Sequence, residues 1–292
     1  MATYHQGSRA VQDRLGLREQ AEHVGRSIGQ DIKPVAAAFL GLQPMLVIGA
    51  ADGAGRMWAS LLTGPPGFVR ATGPRQISVT GGPREDDPLS GALEGPVGTI
   101  ALDPRTRRRM RLNGTARTTP RGLAVEADEV FANCPKYIQR RDLLASAELP
   151  QAGAARRGGQ LTPDQEEFLR AADTFFIATV AADGVDASHR GGNPGFVTVE
   201  SPSVISWRDY PGNAMFLTLG NLETDPRAGL LLLDWTSGST LQLTGRARTA
   251  FDASTGERRM HFTIEETVQT PSAAPLRWSA PDYSPANPPL PY

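Results

Sequence analysis

The sequence predicts a mainly β protein with flanking helices, built from two tandem copies of one small barrel module. Three observations predict it. The chain is self-similar at a nearly constant offset, its apolar segments are short and bounded by turns, and 292 residues suffice for two domains of ordinary size. With 39% hydrophobic and 21% charged residues, the composition is that of a globular protein.

The repeat comes first because it sets the frame for every motif. Met45-Leu-Val-Ile-Gly-Ala-Ala-Asp-Gly53 resembles Phe176-Ile-Ala-Thr-Val-Ala-Ala-Asp-Gly184, an apolar strand running into an Asp-Gly turn, and Gly53 to Gly184 is an offset of 131. Trp58-Ala-Ser60 then matches Asp186-Ala-Ser188. Gly64-Pro-Pro-Gly-Phe-Val69 matches Gly192-Asn-Pro-Gly-Phe-Val197, where Val69 to Val197 is an offset of 128. Gly73 to Val79 matches Ser201 to Trp207 at that same offset. Val97 to Asp103 matches Ala228 to Asp234, and Asn113 to Arg117 matches Thr244 to Arg248, both again at 131. Each copy therefore reads as short strands separated by Gly, Pro and Asp turns, the pattern of a small barrel and not of βαβ units.

In chain order, residues 1–149 form an N-terminal helix and the first module. Val11, Leu15, Leu17, Ala21 and Val24 recur near helical spacing within Ala10 to Gly29, predicting one amphipathic helix packed on the first barrel. Residues 150–159, rich in Ala, Gly and Arg, read as a linker. Residues 160–270 form the second module, opened by a helix with Thr162 as N-cap, Pro163 at its first position and Gln165 completing a capping box. Residues 271–292 are a proline-rich tail expected to run extended.

Thirty basic residues against thirty-one acidic ones leave no field to hold nucleic acid. The longest apolar runs, such as Gly229 to Leu233, are too short to span a bilayer, and the first sixteen residues lack the features of a secretory signal, so a cytoplasmic location is expected. Cys134 is the only cysteine, and histidines at 5, 23, 189 and 261 have no metal-ligand spacing. Alternation over Arg105 to Arg111 places four arginines on one face, expected to be wet, with an anion-binding role for Arg109 or Arg111 as the sharper option.

The second copy carries a resemblance. Ala178 to Gly184, Ser188-His-Arg-Gly191, Gly195-Phe-Val197, Trp207-Arg-Asp-Tyr-Pro-Gly-Asn213, Gly220-Asn-Leu222 and Asp225-Pro-Arg-Ala-Gly-Leu-Leu231 resemble the pyridoxamine 5′-phosphate oxidase-like split-barrel family, closest to its flavin-nucleotide-binding branch. Asn133-Cys-Pro-Lys-Tyr-Ile-Gln139 and Pro275-Leu-Arg-Trp278 are similar to that branch too. The resemblance implies split barrels that hold FMN, or alternatively FAD, at a two-fold interface between barrels, with deazaflavin or haem left open. Two copies in one chain imply a pseudo-dimer, which homodimerisation could double.

A flavin nucleotide needs cations and amides for phosphate, polar groups for the ribityl chain and ring edge, and an apolar wall for the ring. On Asp186 to Arg190, alternation sends Ser188 and Arg190 to one face and His189 to the other, and the resemblance makes this the flavin-facing strand. Asn221 and Leu222 are expected where a helix begins, with amides open to a phosphate or merely capped. Trp207, Tyr210 and Asn213 sit at a strand-turn junction, as ring wall or as barrel core. Lys136, in a segment whose proline suits a first helical turn, could reach the same anion. Gln242, on the strand matching the arginine run, completes the set of candidates.

The reading is a flavin-dependent oxidoreductase acting on a small organic substrate, with NAD(P)H or oxygen as its redox partner. The alternative is a flavin-binding carrier, sensor or electron-transfer protein, since the motifs supply no separate acid or base. Ser60 and Leu62 stand where the second copy has Ser188 and Arg190. One flavin per chain is therefore expected, its phosphate held by second-copy residues and Lys136, with the first copy closing the cleft.

Overall fold

The computed structural model describes residues 4–132, 134–144, 151–182, 184–252 and 254–289. Two helices, α1 (Gln6–Arg14) and α2 (Arg18–Gly25), precede α3 (Pro34–Gly41) and the strands β1 (Met45–Ala51), β2 (Met57–Thr63), β3 (Val69–Gly73), β4 (Gln76–Thr80), β5 (Gly95–Asp103), β6 (Arg108–Thr119) and β7 (Gly122–Ala132). A short β8 (Arg156–Gly158) and α4 (Pro163–Ala171) lead into β9 (Thr174–Ala181), β10 (Gly184–Gly191), β11 (Val197–Ser201), β12 (Val204–Arg208), α5 (Leu217–Thr224), β13 (Arg227–Leu233), β14 (Thr240–Phe251) and β15 (Arg258–Thr270).

The two antiparallel sheets have one topology. Their orders are β2-β1-β5-β6-β7-β4-β3 and β10-β9-β13-β14-β15-β12-β11, with β8 added on β15. Even the irregularities repeat, with register shifts at Asn113/Gly114 and Thr244/Gly245 and again at Ala71/Gly73 and Val199/Ser201. The fold is thus two tandem split-barrel modules. One detail of the repeat shifts. Gly49 lies opposite Gly98, and Ala178 opposite Gly229, so β1 and β9 correspond at 178 − 49 = 129 and not 131. The Ala-Ala-Asp-Gly likeness had joined two different points of the hairpin. A slip of two residues keeps every side chain on its face, which hid it from the pattern. The turn residue Asp183 lies outside the described residues.

Each module has its own core, and a third core lies between them. Leu46 and Ile48 point into the first barrel while Met45 and Val47 of the same strand meet the second module; Phe175 and Ile177 against Phe176 and Ala178 repeat this on β9. Burial on both faces is why these strands read as continuous apolar runs instead of alternating. The modules meet reciprocally, β10 on β5 and β2 on β13. At both contacts the backbones approach over a glycine. A Cβ on Gly98 would stand 2.5 Å from the Ala187 nitrogen, and one on Gly229 would stand 2.5 Å from the Trp58 Cα. The arrangement is a pseudo-dimer within one chain.

Three expectations need correction. The single N-terminal helix is two, broken after Leu15 where Gly16 takes φ +65°, a conformation glycine adopts without cost. Its first half does not pack on the first barrel, since Val11 enters the second module's core and Gln12 Nε2 donates to the Met215 carbonyl at 3.0 Å, whereas Ala21 of α2 is clustered with Phe131 of β7. Residues 156–158 of the expected linker pair with β15, and Arg157 donates to Glu266 at 2.8 Å; Pro150 lies outside the described residues. In the tail, Trp278 is buried edge-on against Trp235, while residues 290–292 lie outside the description.

The capping box of α4 forms as expected. Gln165 N–H donates to Thr162 Oγ1 at 3.3 Å, and Gln165 Oε1 accepts from Thr162 N–H at 3.1 Å. Thr162→Ala should cost about 1 kcal/mol in chemical denaturation, with Thr162→Asp recovering most of it. An unchanged midpoint would show that tertiary packing alone holds this helix.

Candidate functional site

The arginine run is not one wet strand. Pro104 to Arg107 make a turn, with Arg107 at φ +51°, and β6 starts only at Arg108. Arg109 and Arg111 then face the second module, because β6 lies against β10 there. Arg111 is 5% exposed and ion-paired with Asp186. Arg109 donates to His189 Nδ1 at 2.7 Å, its Nε is shut off from solvent, and no carboxylate pairs with it among the described residues. Burial first, and the charge of Arg190 second, lower its pKa to about 10, so the guanidinium remains charged at neutral pH.

The same two causes act on His189. Burial, then Arg109 and Arg190, hold the imidazole well below its usual range, so it is neutral. Because Nδ1 accepts from Arg109, its proton sits on Nε2, which is buried without a partner among the described residues. Arg190 is set on the other face of β10, as alternation predicted. It donates to Ser188 Oγ at 2.9 Å and lies 3.4 Å from Asp209, a carboxylate already bonded to Arg258.

The start of α5 closes this cluster. Ala214 and Phe216 both take left-handed backbone conformations, φ +61° and +56°, each costing about 1–2 kcal/mol for a non-glycine residue. Asn213 supports the turn by accepting the Met215 N–H at 3.2 Å. The first intrahelical bond is Gly220 N–H to Phe216 O, so the amides of Leu217, Thr218 and Leu219 precede the helix's own ladder. They join Arg109, Arg111 and Arg190 on the wall of a cleft of about 100 Å³. Tyr137 and Tyr210, with ring centroids 5.3 Å apart, and exposed Lys136 form its rim.

Of the ten candidates, Ser188, His189, Arg190, Tyr210, Asn213 and Lys136 line this one cleft. Trp207 borders it too but is 1% exposed and packs edge-on against Phe175 at 4.9 Å, so it is barrel core and not a ring wall. Asn221 and Leu222 do not begin the helix, which starts four residues earlier at Leu217. Leu222 is in the second core, and Asn221 donates to Thr179 Oγ1 at 3.0 Å beside a different cavity. The segment around Lys136 is a turn with Tyr137 at φ +66°, so its proline starts no helix; Asn133 lies outside the described residues. Arg109 and Arg111, expected on a wet face with anion binding as the sharper option, line the cleft as well, whereas Tyr137 and Asp209 carried no signal in the sequence.

Gln242 lies in the other copy of the site. There Ser60, Leu61 and Leu62 replace Ser188, His189 and Arg190, and the chain that replaces α5 carries Asp87 inward. Ser60 Oγ donates to Asp87 Oδ1 at 2.6 Å and Gln242 Nε2 to its Oδ2 at 3.1 Å, leaving a space of about 20 Å³. Burial pushes the Asp87 carboxyl upward. The pseudo-symmetric site is filled by the protein's own carboxylate. The first copy also does more than close the cleft, since it contributes Arg109 and Arg111.

Residues 161–276 match the family model described as pyridoxamine 5′-phosphate oxidase. No curated protein matches the chain. Similar solved structures include a Lactobacillus delbrueckii protein provisionally described as a pyridoxamine 5′-phosphate oxidase, at 19% identity and TM-score 0.32, covering 38% of this chain and 94% of that one. A FAD-binding protein of Mesorhizobium loti follows at 12% identity and TM-score 0.31, covering 40% and 97%. HupZ of Group A Streptococcus is similar at 11% identity and TM-score 0.30, covering 36% and 90%.

Proposed function

From the premise that the second module is a pyridoxamine 5′-phosphate oxidase-like split barrel, we propose that the chain binds one flavin nucleotide, FMN or FAD, in the cleft between its modules. The oxidoreductase reading follows from that cofactor, with a small organic substrate and with oxygen or a nicotinamide as second redox partner. The observation that carries the proposal is Arg109: a buried cation with no carboxylate partner among the described residues, lining one cleft with Arg190 and the first residues of α5.

The residues fit the group at one end and at the rim. Arg109, Arg190, the amides of Leu217 to Leu219 and the Nε2–H of His189 are all donors, the set a phosphate requires. About 100 Å³ takes the phosphate end and not a whole nucleotide, so the ring belongs at the open mouth beside Tyr137, Tyr210 and Lys136. A bound flavin would supply hydride and electron chemistry that no side chain here possesses. The protein's part is positioning. Burial raises the pKa of Tyr137 and of Tyr210, and His189 is neutral, so these lining groups keep their protons at neutral pH.

The test is direct. Purified protein should be yellow, or become so with FMN or FAD, and extraction should return one flavin per chain because Asp87 occupies the second site. Colourless protein after incubation would remove the reading, and two flavins per chain would remove the asymmetry. Arg190→Ala should weaken flavin binding by roughly ten- to hundred-fold, the loss of a charge-assisted contact of about 1.5–3 kcal/mol. Anaerobic mixing with NADH or NADPH separates an enzyme, whose flavin bleaches, from a carrier.

A further inference from the structure

A second cavity of about 280 Å³ lies at the same module interface, lined by Asn113, Asp128, Glu129 and Asp186 among others. Tyr4, His5, Thr115 and Asn221 also line it, but its unpartnered buried polar atoms among the described residues are of one kind. Asp186 Oδ2 and Asn113 Oδ1 are buried acceptors with no hydrogen-bond partner among the described residues, on side chains 4% and 8% exposed. Asn113 is oriented unambiguously, because its Nδ2 donates to Glu129 Oε2 at 3.0 Å and to Asp186 Oδ1 at 3.1 Å, which turns its oxygen away from both. The hydroxyl of Tyr4, on the same wall, is spent on the Ala21 carbonyl at 2.8 Å.

Buried acceptors left unpaired are costly, and a ligand that donates to both recovers that cost. Three carboxylates stand on this wall. Asp186 is paired with Arg111, which faces the other cleft, and Asp128 lies at the exposed rim, 3.8 Å from Arg75. Glu129 accepts from Asn113 but from no cation among the described residues. We propose that this cavity is a binding site for a small organic ammonium, whose N–H groups are taken by Asp186 Oδ2 and Asn113 Oδ1 and whose charge is balanced by Glu129. The volume accommodates a primary amine with one aromatic or short aliphatic group. Leu217 lines both cavities, and the Arg111–Asp186 pair joins them, so the ammonium site and the cation-lined cleft share a wall.

The experiment is calorimetric titration of the full chain with benzylammonium and with benzyl alcohol, its uncharged counterpart. The amine should bind at least ~10-fold more tightly than the alcohol, as expected for a charge-assisted contact. Glu129→Gln keeps an acceptor for Asn113 and should melt like the parent, yet lose ~10-fold or more in amine affinity. Arg190→Ala should bind the amine unchanged, which separates this cavity from the cleft. Equal affinity for amine and alcohol, no heat up to about 10 mM amine, or a Glu129→Gln protein that binds as the parent does would each overturn the proposal. Since the titration reads amine binding and not flavin content, failure here and failure of the flavin reading are separate results.

Discussion

Arg109→Met should lower flavin-nucleotide affinity by ~100-fold, about 2.7 kcal/mol, while leaving the apoprotein at least as stable as before. The two halves of this expectation have one cause. Arg109 is a desolvated cation whose one side-chain partner among the described residues is the neutral ring of His189. Its charge is unfavourable in the empty cleft and favourable only against a bound anion. Methionine has the length to fill the space and removes the charge. Arg190 should show a smaller effect, because Asp209 already balances part of its charge. Flavin titration beside thermal melts of the apoprotein checks both halves. A variant that loses stability and affinity together would identify Arg109 as a structural residue, and the phosphate would then have to be placed elsewhere.

Asp186→Ala should be the most destabilising of the substitutions considered, at about 3–5 kcal/mol, because it strands Arg111 as an uncompensated charge 5% exposed between the modules. It also removes the acceptor for Asn113 Nδ2. Replacing both partners, Arg111→Met with Asp186→Leu, should recover most of the loss, since apolar groups of similar volume need no partner there. Denaturant unfolding of Arg111→Met, Asp186→Leu and the double variant closes the cycle. A cost below about 1 kcal/mol for Asp186→Ala would mean that water reaches the pair and that the interface is looser than its burial indicates.

The Asp87 plug and the Arg109 cleft show why one site can be open and its mate closed in a pseudo-symmetric fold. The two sites use corresponding strand positions, Thr240 and Gln242 for Arg109 and Arg111, and Ser60 for Ser188. What differs is the segment between the fourth and fifth strands of each module. In the second module it is α5, with its open amides; in the first it is a run of turns that presents a carboxylate. A donor-rich pocket met by an anionic side chain is satisfied within the fold. The same pocket met by a helix start has donors to spare.

By itself the sequence determined the two-module architecture, since short strands and the turns between them recur along the chain at a nearly constant offset. It also determined the side from which β10 offers Ser188 and Arg190, because period-two alternation is a property of the strand alone. The capping box of α4 belongs with these, being closed within four residues. Tertiary structure decided the rest. Arg109 and Arg111 look like a wet stripe until β10 covers them, and their burial and lowered pKa are properties of the interface. The start of α5 at Leu217 depends on left-handed residues at Ala214 and Phe216, which local preference disfavours and only surrounding contacts can impose. Gln242 and Asn221 carry chemistry suited to a cofactor but stand in other cavities. A side chain's type is written in the chain, whereas its neighbours across the module interface come from residues some eighty to two hundred positions away, as Arg109 with His189 and Gln242 with Ser60 show.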